Sequence, residues 1–172
     1  FTSRVYQLQP FDRALKDSAT VKILLKKSES AEKKGVFYYD QKEGWTYLPS
    51  KFSIVDRLFS APLYSFEAVA VVEDTVPPRI HDFSPGPNAN YSSKDFTTIS
   101  GKVEDDLAGI GRDKDIQMIL DGESLYFEYH PIKKEVRYRL NGLLDAGQYQ
   151  LVITATDQVG NRATKEITFS VN

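Results

Sequence analysis

Carboxylates crowd one stretch of the second half of the chain and are the first candidates for chemistry. They are Glu104, Asp105, Asp106, Asp113 and Asp115. Oxygen-rich clusters suit Ca²⁺, and Asp157, the last residue of a predicted strand, could approach them at one end of the sandwich. The spacing is not that of a twelve-residue calcium loop, and loop Asp residues commonly cap backbone amides. We therefore expect no cofactor, and keep calcium as the alternative on Glu104, Asp105, Asp106 and Asp157.

Residue types that could serve as nucleophile or base are scarce. The chain has no cysteine and two histidines, His81 and His130. The lack of cysteine removes thiol nucleophiles, thiolate metal sites and disulfides together. Neither histidine lies in a Gly-x-Ser-x-Gly motif or at metal-ligand spacing. These observations predict that the chain is not an enzyme.

Aromatic side chains concentrate on one predicted hairpin, which carries Tyr38, Tyr39, Trp45 and Tyr47. Aromatic rings stack on the apolar faces of sugars, so Tyr39, Trp45 and Tyr47 are carbohydrate-binding candidates. Strand alternation, however, sends half of these rings inward, and the single Trp is expected to fill the core. Core packing is therefore the favoured interpretation, with carbohydrate binding as the alternative.

Length and composition restrict the class of protein. The 172 residues suit two small domains, and the apolar fraction of 41% can form their cores. Ten Phe and ten Tyr residues favour β-structure. The net charge of −2 argues against nucleic acid as a partner, and no apolar run approaches the length of a membrane span. No signal peptide is recognisable, so we expect the chain to be part of a longer protein.

A domain boundary is predicted at Glu73–Pro78. The apolar run at 68–72 ends there, and Pro77 and Pro78 fix φ and lack amide donors. The connector is therefore short and stiff. It predicts an N-terminal β-sandwich domain over residues 1–73 and a second β-sandwich over residues 74–172.

Strand patterns support this all-β interpretation in the first domain. Segments 36–39 and 45–48 flank a short connection with Gly44, which indicates a hairpin. Segments 52–59 and 63–72 each read as one further strand.

In the second domain, seven segments separated by turn residues predict an immunoglobulin-like sandwich of two antiparallel sheets. They are 79–83, 97–104, 116–120, 125–129, 135–140, 149–157 and 163–171.

The segment Asp145-Ala146-Gly147-Gln148-Tyr149-Gln150-Leu151 resembles the Asp-x-Gly-x-Tyr-x-Cys segment of immunoglobulin-fold domains. Further matches are Thr75-x-Pro77-Pro78, Ile99-Ser100-Gly101-Lys102-Val103-Glu104-Asp105 and Ala155-Thr156-Asp157-x-x-Gly160-Asn161. Together they resemble the bacterial immunoglobulin-like domains that occur in tandem on surface proteins and beside secreted hydrolases. The resemblance implies that the hydroxyl of Tyr149 bonds to backbone upstream and fixes a corner of the fold.

The N-terminal half carries Leu63-Tyr64-Ser65-Phe66-Glu67-Ala68-Val69. This segment is similar to the β-sandwich spacer shared by ankyrins and netrin receptors, and to the related autoproteolytic domain of adhesion receptors. The second resemblance would make Ser65 the nucleophile and put Leu63 where a His base stands. Because Leu cannot accept the hydroxyl proton, we expect no self-cleavage.

These observations together predict a non-catalytic structural or interaction module of an extracellular, cell-surface or periplasmic bacterial-type protein. Its role would be to space or present a neighbouring domain of the same chain, or to contact a protein or glycan at the cell surface. The alternative is a carbohydrate-binding accessory region of a secreted hydrolase.

Overall fold

The computed structural model of the chain describes residues 1–11 and 13–172. Its regular structure there consists of β-strands and one short 3₁₀ turn, Asp113–Asp115, and the all-β class predicted from the sequence is confirmed. The chain divides into two compact units. Unit 1 comprises Phe1–Val76 with Gln158–Gly160, and unit 2 comprises Pro77–Asp157 with Asn161–Asn172. The division into domains at residues 1–73 and 74–172 stays a prediction.

Unit 1 is a sandwich of two antiparallel sheets. Its strands are β1 (Tyr6–Gln7), β2 (Arg13–Leu24), β3 (Lys34–Asp40), β4 (Gly44–Leu48), β5 (Lys51–Ser53), β6 (Leu58–Phe66) and β7 (Ala68–Glu73). One sheet has the order β1-β7-β3-β4 and the other β2-β6-β5. Alternate residues of both sheets meet in the core, which includes Ile23, Val36, Phe59 and Val71.

Two strand predictions in this unit are wrong. Segment 63–72 is two strands in different sheets, because the chain turns a corner at Glu67 between β6 and β7. Segment 52–59 is a hairpin, since residues 54–57 form a turn in which Arg57 takes a φ of 54°. Alternating apolar residues continue through both places, and alternation alone does not reveal a corner or a turn.

Unit 2 is a sandwich of two sheets with an immunoglobulin-like strand arrangement. Its strands are β8 (Arg79–Ser84), β9 (Asn90–Tyr91), β10 (Thr98–Glu104), β11 (Ile116–Leu120), β12 (Glu123–Ser124), β13 (Glu128–His130), β14 (Glu135–Arg139), β15 (Gly147–Thr156) and β16 (Arg162–Val171). The sheets have the orders β13-β14-β10-β8 and β12-β11-β15-β16-β9. All pairings are antiparallel except that of β16 with β9, which is parallel. The core between the sheets includes Ile99, Val136, Leu151 and Phe169.

The predicted strand at 125–129 is not one continuous strand. The residues that pair with neighbouring strands are Glu123–Ser124 and Glu128–His130. Leu125, Phe127 and Tyr129 all pack against the core of unit 2. The alternation of apolar residues in this segment therefore reflects burial of their side chains. Most of the segment packs against the core without pairing with another strand.

A corner before β15 is held by the hydroxyl of Tyr149, which donates to the carbonyl oxygen of Asp145 at 2.9 Å. The ring is half-buried and stacks on Phe169, with 5.5 Å between ring centroids. Removing the hydroxyl leaves this stacking in place and deletes only the hydrogen bond.

We expect Tyr149→Phe to lower the free energy of unfolding of unit 2 by about 1 kcal/mol, the usual net contribution of one such bond. Urea unfolding followed by circular dichroism measures the change. Tyr126→Phe is the matched control, because the Tyr126 side chain is 95% exposed. Equal stability of the two variants would contradict the corner assignment.

No helix in the described part of the chain has the length and apolar character needed to cross a bilayer.

Candidate functional site

The three aromatic candidates lie on the same side of sheet β1-β7-β3-β4. Val36 stands opposite Leu48 and both enter the core. Side chains alternate along a strand, so the adjacent pairs, Phe37 opposite Tyr47 and Tyr39 opposite Trp45, point to the other side of the sheet from Val36 and Leu48, where Phe37 is nevertheless fully buried. We call Phe37, Tyr39, Trp45 and Tyr47 the aromatic face.

Rings of the aromatic face contact one another edge to face. Ring centroids of Tyr39 and Trp45 are 5.6 Å apart, and those of Phe37 and Tyr47 are 5.4 Å apart. Tyr39 is 41% exposed, while Trp45 and Tyr47 are half-buried. The expectation that Trp45 fills the core is therefore wrong. Tyr38 is the ring of this hairpin that points inward.

Local backbone features position the aromatic face. A Cβ at Gly35 would lie 2.5 Å from Cε2 of Tyr47, so only glycine lets that ring lie against β3. The β3–β4 turn is held by Asp40, whose Oδ1 accepts the amides of Lys42 at 2.7 Å and Glu43 at 2.9 Å. These hydrogen bonds favour the carboxylate and lower the pKa of Asp40.

A small cleft of about 180 Å³ opens elsewhere in unit 1 and holds the residues that raised the question of self-cleavage. Its lining includes Tyr38, Leu63, Ser65 and Glu67. Leu63 belongs to the core, and the Ser65 hydroxyl donates to the Glu67 carboxylate. Burial first, and then Glu67 and Asp40, raise the pKa of Tyr38. Sequence reasoning missed the carboxylate beside Ser65, and the absence of self-cleavage stays a prediction.

Among the calcium candidates, Glu104 is surrounded by basic side chains on the outer face of sheet β13-β14-β10-β8. Its carboxylate lies 2.9 Å from the Arg79 guanidinium, 3.0 Å from Nε2 of His81 and 3.2 Å from Nζ of Lys134. The hydrogen bond from Lys134 is the main cause of the lowered pKa of Glu104. Asp106 is also paired with Arg79. This arrangement directs both carboxylates toward protein cations.

Asp105 and Asp157 are the two calcium candidates that the fold brings together, with carboxylate oxygens within 4.8 Å of each other. Oδ1 of Asp105 accepts the amide of Gly109 at 2.6 Å. Asp157 accepts the backbone amide of Asn161 at 2.8 Å and its side-chain amide at 2.6 Å. Both carboxylates therefore hold loops of unit 2 in place.

The remaining acids and the histidines also serve local structure. Oδ2 of Asp115 accepts the amide of Arg112 at 3.0 Å, and Oδ1 of Asp113 that of Lys114 at 2.9 Å. His81 contacts Asp82 at 2.9 Å through Nδ1, besides Glu104.

His130 lines a groove of about 410 Å³ on unit 2. Its Nδ1 accepts the amide of Lys133 at 3.3 Å. The other lining residues are Glu128, Tyr129, Lys133, Glu135 and Arg137.

No protein-family model matches the chain, and no curated protein matches it either. Solved structures with a similar fold include CopC from Methylosinus trichosporium OB3b, with a TM-score of 0.44 and 14% identity over 55% of this chain and 93% of that one. PcoC, a methionine-rich copper resistance protein from Escherichia coli, has a TM-score of 0.42 and 15% identity over 56% of this chain and 100% of its own.

Dimeric latent PorU from Porphyromonas gingivalis has a TM-score of 0.40 and 15% identity. The match covers 99% of this chain and 24% of PorU. Likenesses at this level carry no information about function.

Proposed function

We propose that the chain is a non-catalytic interaction module of a surface or secreted bacterial-type protein, which spaces or presents a neighbouring domain. The supporting observation is that each unit encloses a core made by its own strands. A module with its own core keeps its surface loops and sheet faces available for contact. The resemblance of unit 1 to the ankyrin and netrin-receptor spacer forms part of this proposal.

Polar groups that could do chemistry are engaged in structure, which also favours a non-catalytic role. Both ring nitrogens of His81 contact carboxylates, and the Ser65 hydroxyl donates to Glu67. Incubation with peptidoglycan, polysaccharide and peptide substrates tests this part of the proposal. We expect no turnover by the pure protein, and turnover would overturn it.

Carbohydrate binding is the second candidate function, and the position of Trp45 favours it. Its ring lies outside the core cluster of unit 1, between Phe1, with 4.9 Å between ring centroids, and the exposed Tyr39, with Tyr47 on the same face. Rings arranged on one sheet face offer stacking surfaces to the apolar faces of sugars. The candidate ligand class is therefore a neutral oligosaccharide bound along β3 and β4.

Trp45 is the only tryptophan of the chain, so its fluorescence reports on this face alone. If the aromatic face binds sugar, titration with cell-wall oligosaccharides should shift or quench the emission. Tyr39→Ala should lower the sugar affinity measured from that response about tenfold, as expected for the loss of one stacking ring. Tyr126→Ala in unit 2 is the control and should leave it unchanged.

An emission spectrum that no glycan alters would remove the carbohydrate candidate. The spacing role would then be the remaining proposal, since it requires no ligand on this face.

A further inference from the structure

An exposed apolar patch lies at one end of sheet β2-β6-β5 in unit 1. Ile54 is 82% exposed and Val55 92% exposed at the tip of the β5–β6 turn, and Leu24 is 72% exposed at the end of β2. Leu58 is half-buried beside them. We call Leu24, Ile54, Val55 and Leu58 the apolar tip. A group of large aliphatic side chains that is exposed to water usually marks an interaction surface.

Lysines stand directly behind the apolar tip on the same sheet face. Leu24 pairs with Leu58, and two residues back along the strands the row is Lys22, Ser60 and Lys51. Residues two apart in a strand share a face and are separated by about 7 Å. Both lysines are exposed. The surface is therefore layered, with aliphatic groups at the end and positive charge one step behind.

The turn that carries the tip is held by hydrogen bonds. The Asp56 carboxylate accepts the Ser53 hydroxyl at 2.8 Å, and the Ser53 Oγ accepts the Asp56 amide at 3.2 Å. The Arg57 guanidinium donates to the carbonyl oxygens of Lys26 and Glu29, both at 2.6 Å. A turn fixed in this way presents its aliphatic side chains without first having to order them.

We propose that the apolar tip docks unit 1 on the surface of a bilayer that contains anionic lipids. Apolar groups of surface-bound proteins enter the headgroup and acyl boundary by roughly 5–10 Å. With Ile54 and Val55 at that depth, Lys22 and Lys51 lie at the level of the lipid phosphates, where each lysine strengthens binding. The neighbouring Lys26 and Lys27 are exposed as well, so that four lysines stand against the two nearby acids, Asp56 and Glu29.

Layering is the observation that favours a bilayer over a protein groove. A protein partner requires shape complementarity but no fixed order of apolar and basic rows, whereas a bilayer presents its hydrocarbon and its phosphates in that order.

Co-sedimentation with vesicles tests the proposal. The full chain should bind vesicles of phosphatidylcholine with phosphatidylglycerol, and binding should weaken when the ionic strength is raised. The double variant Ile54→Asp, Val55→Asp should bind about tenfold less or worse, and so should Lys22→Glu, Lys51→Glu. Ile132→Asp is the matched control, because Ile132 is an 88% exposed aliphatic residue of unit 2.

A spectroscopic measurement separates insertion from simple adhesion. The chain has no cysteine, so Val55→Cys accepts a single environment-sensitive dye whose emission should shift to the blue on anionic vesicles. The same dye at Ile132→Cys should not shift. Absence of vesicle binding, unchanged binding by the tip variant, or a dye at position 55 that stays in water would each overturn the proposal. Circular dichroism of every variant verifies that it is folded.

Discussion

Replacing Phe169 by alanine is expected to destabilise unit 2 by about 3–5 kcal/mol, the usual cost of truncating a buried Phe. The side chain is 1% exposed, and its ring centroid lies 5.2 Å from that of Phe96 and 5.5 Å from that of Tyr149. Removal of the ring leaves a cavity and deprives both neighbours of their contact. A small domain has about 5–15 kcal/mol of stability in total, so this variant should lose a large share of the stability of unit 2.

The same variant tests whether the two cores are independent. Urea unfolding of Phe169→Ala should show an early transition by circular dichroism, while the emission of Trp45, which lies in unit 1, keeps its original midpoint. Tyr126→Ala is the control and should change neither signal. If the Trp45 midpoint moved together with the circular dichroism signal, the units would unfold as one, and the proposed modular role would lose its support.

Gly101→Ala is expected to cost unit 2 about 1–3 kcal/mol, the range for overpacking a core. A Cβ at this buried position would lie 2.3 Å from Cδ2 and 2.4 Å from Cε2 of Phe83. The Phe83 ring packs against the core, so it would have to move out of its place.

A double-mutant cycle identifies the clash as the cause. In the background of Phe83→Ala, the substitution at Gly101 should cost close to nothing, because the opposing ring is gone. Gly142→Ala is the matched control, since a Cβ there meets no atom within 4 Å. Equal costs of Gly101→Ala with and without Phe83 would show that the penalty has another origin.

The hairpin of unit 1 shows what sequence patterns predict well. Two apolar segments around a Gly-containing turn predicted strands at 36–39 and 45–48, and the strands run over Lys34–Asp40 and Gly44–Leu48. The direction in which each ring points was not predictable, because both faces of β3 are apolar. Alternation divides Val36 and Tyr38 from Phe37 and Tyr39, but it does not say which pair meets the other sheet.

The acidic segment at 104–106 shows what sequence patterns do not predict. Glu104, Asp105 and Asp106 are adjacent in sequence, yet Glu104 is the last residue of β10, and its carboxylate pairs with the guanidinium of Arg79 on the neighbouring strand. Asp105 begins the loop and approaches Asp157, more than fifty residues away. Composition identified the residues, but only the tertiary structure shows which ones meet.

The parallel pairing of β9 with β16 gives unit 2 a mechanical property. Along this pairing, the amide of Asn88 donates to the carbonyl oxygen of Thr168 at 2.7 Å, and that of Asn172 to the carbonyl oxygen of Tyr91 at 2.9 Å. A stretching force applied to these two strands pulls β9 and β16 along their length in opposite directions. The hydrogen bonds between them then carry the load together and must break in shear, whereas a hairpin pulled at its open end unzips one bond at a time. Unit 2 should accordingly resist stretching better than its thermal stability alone would suggest.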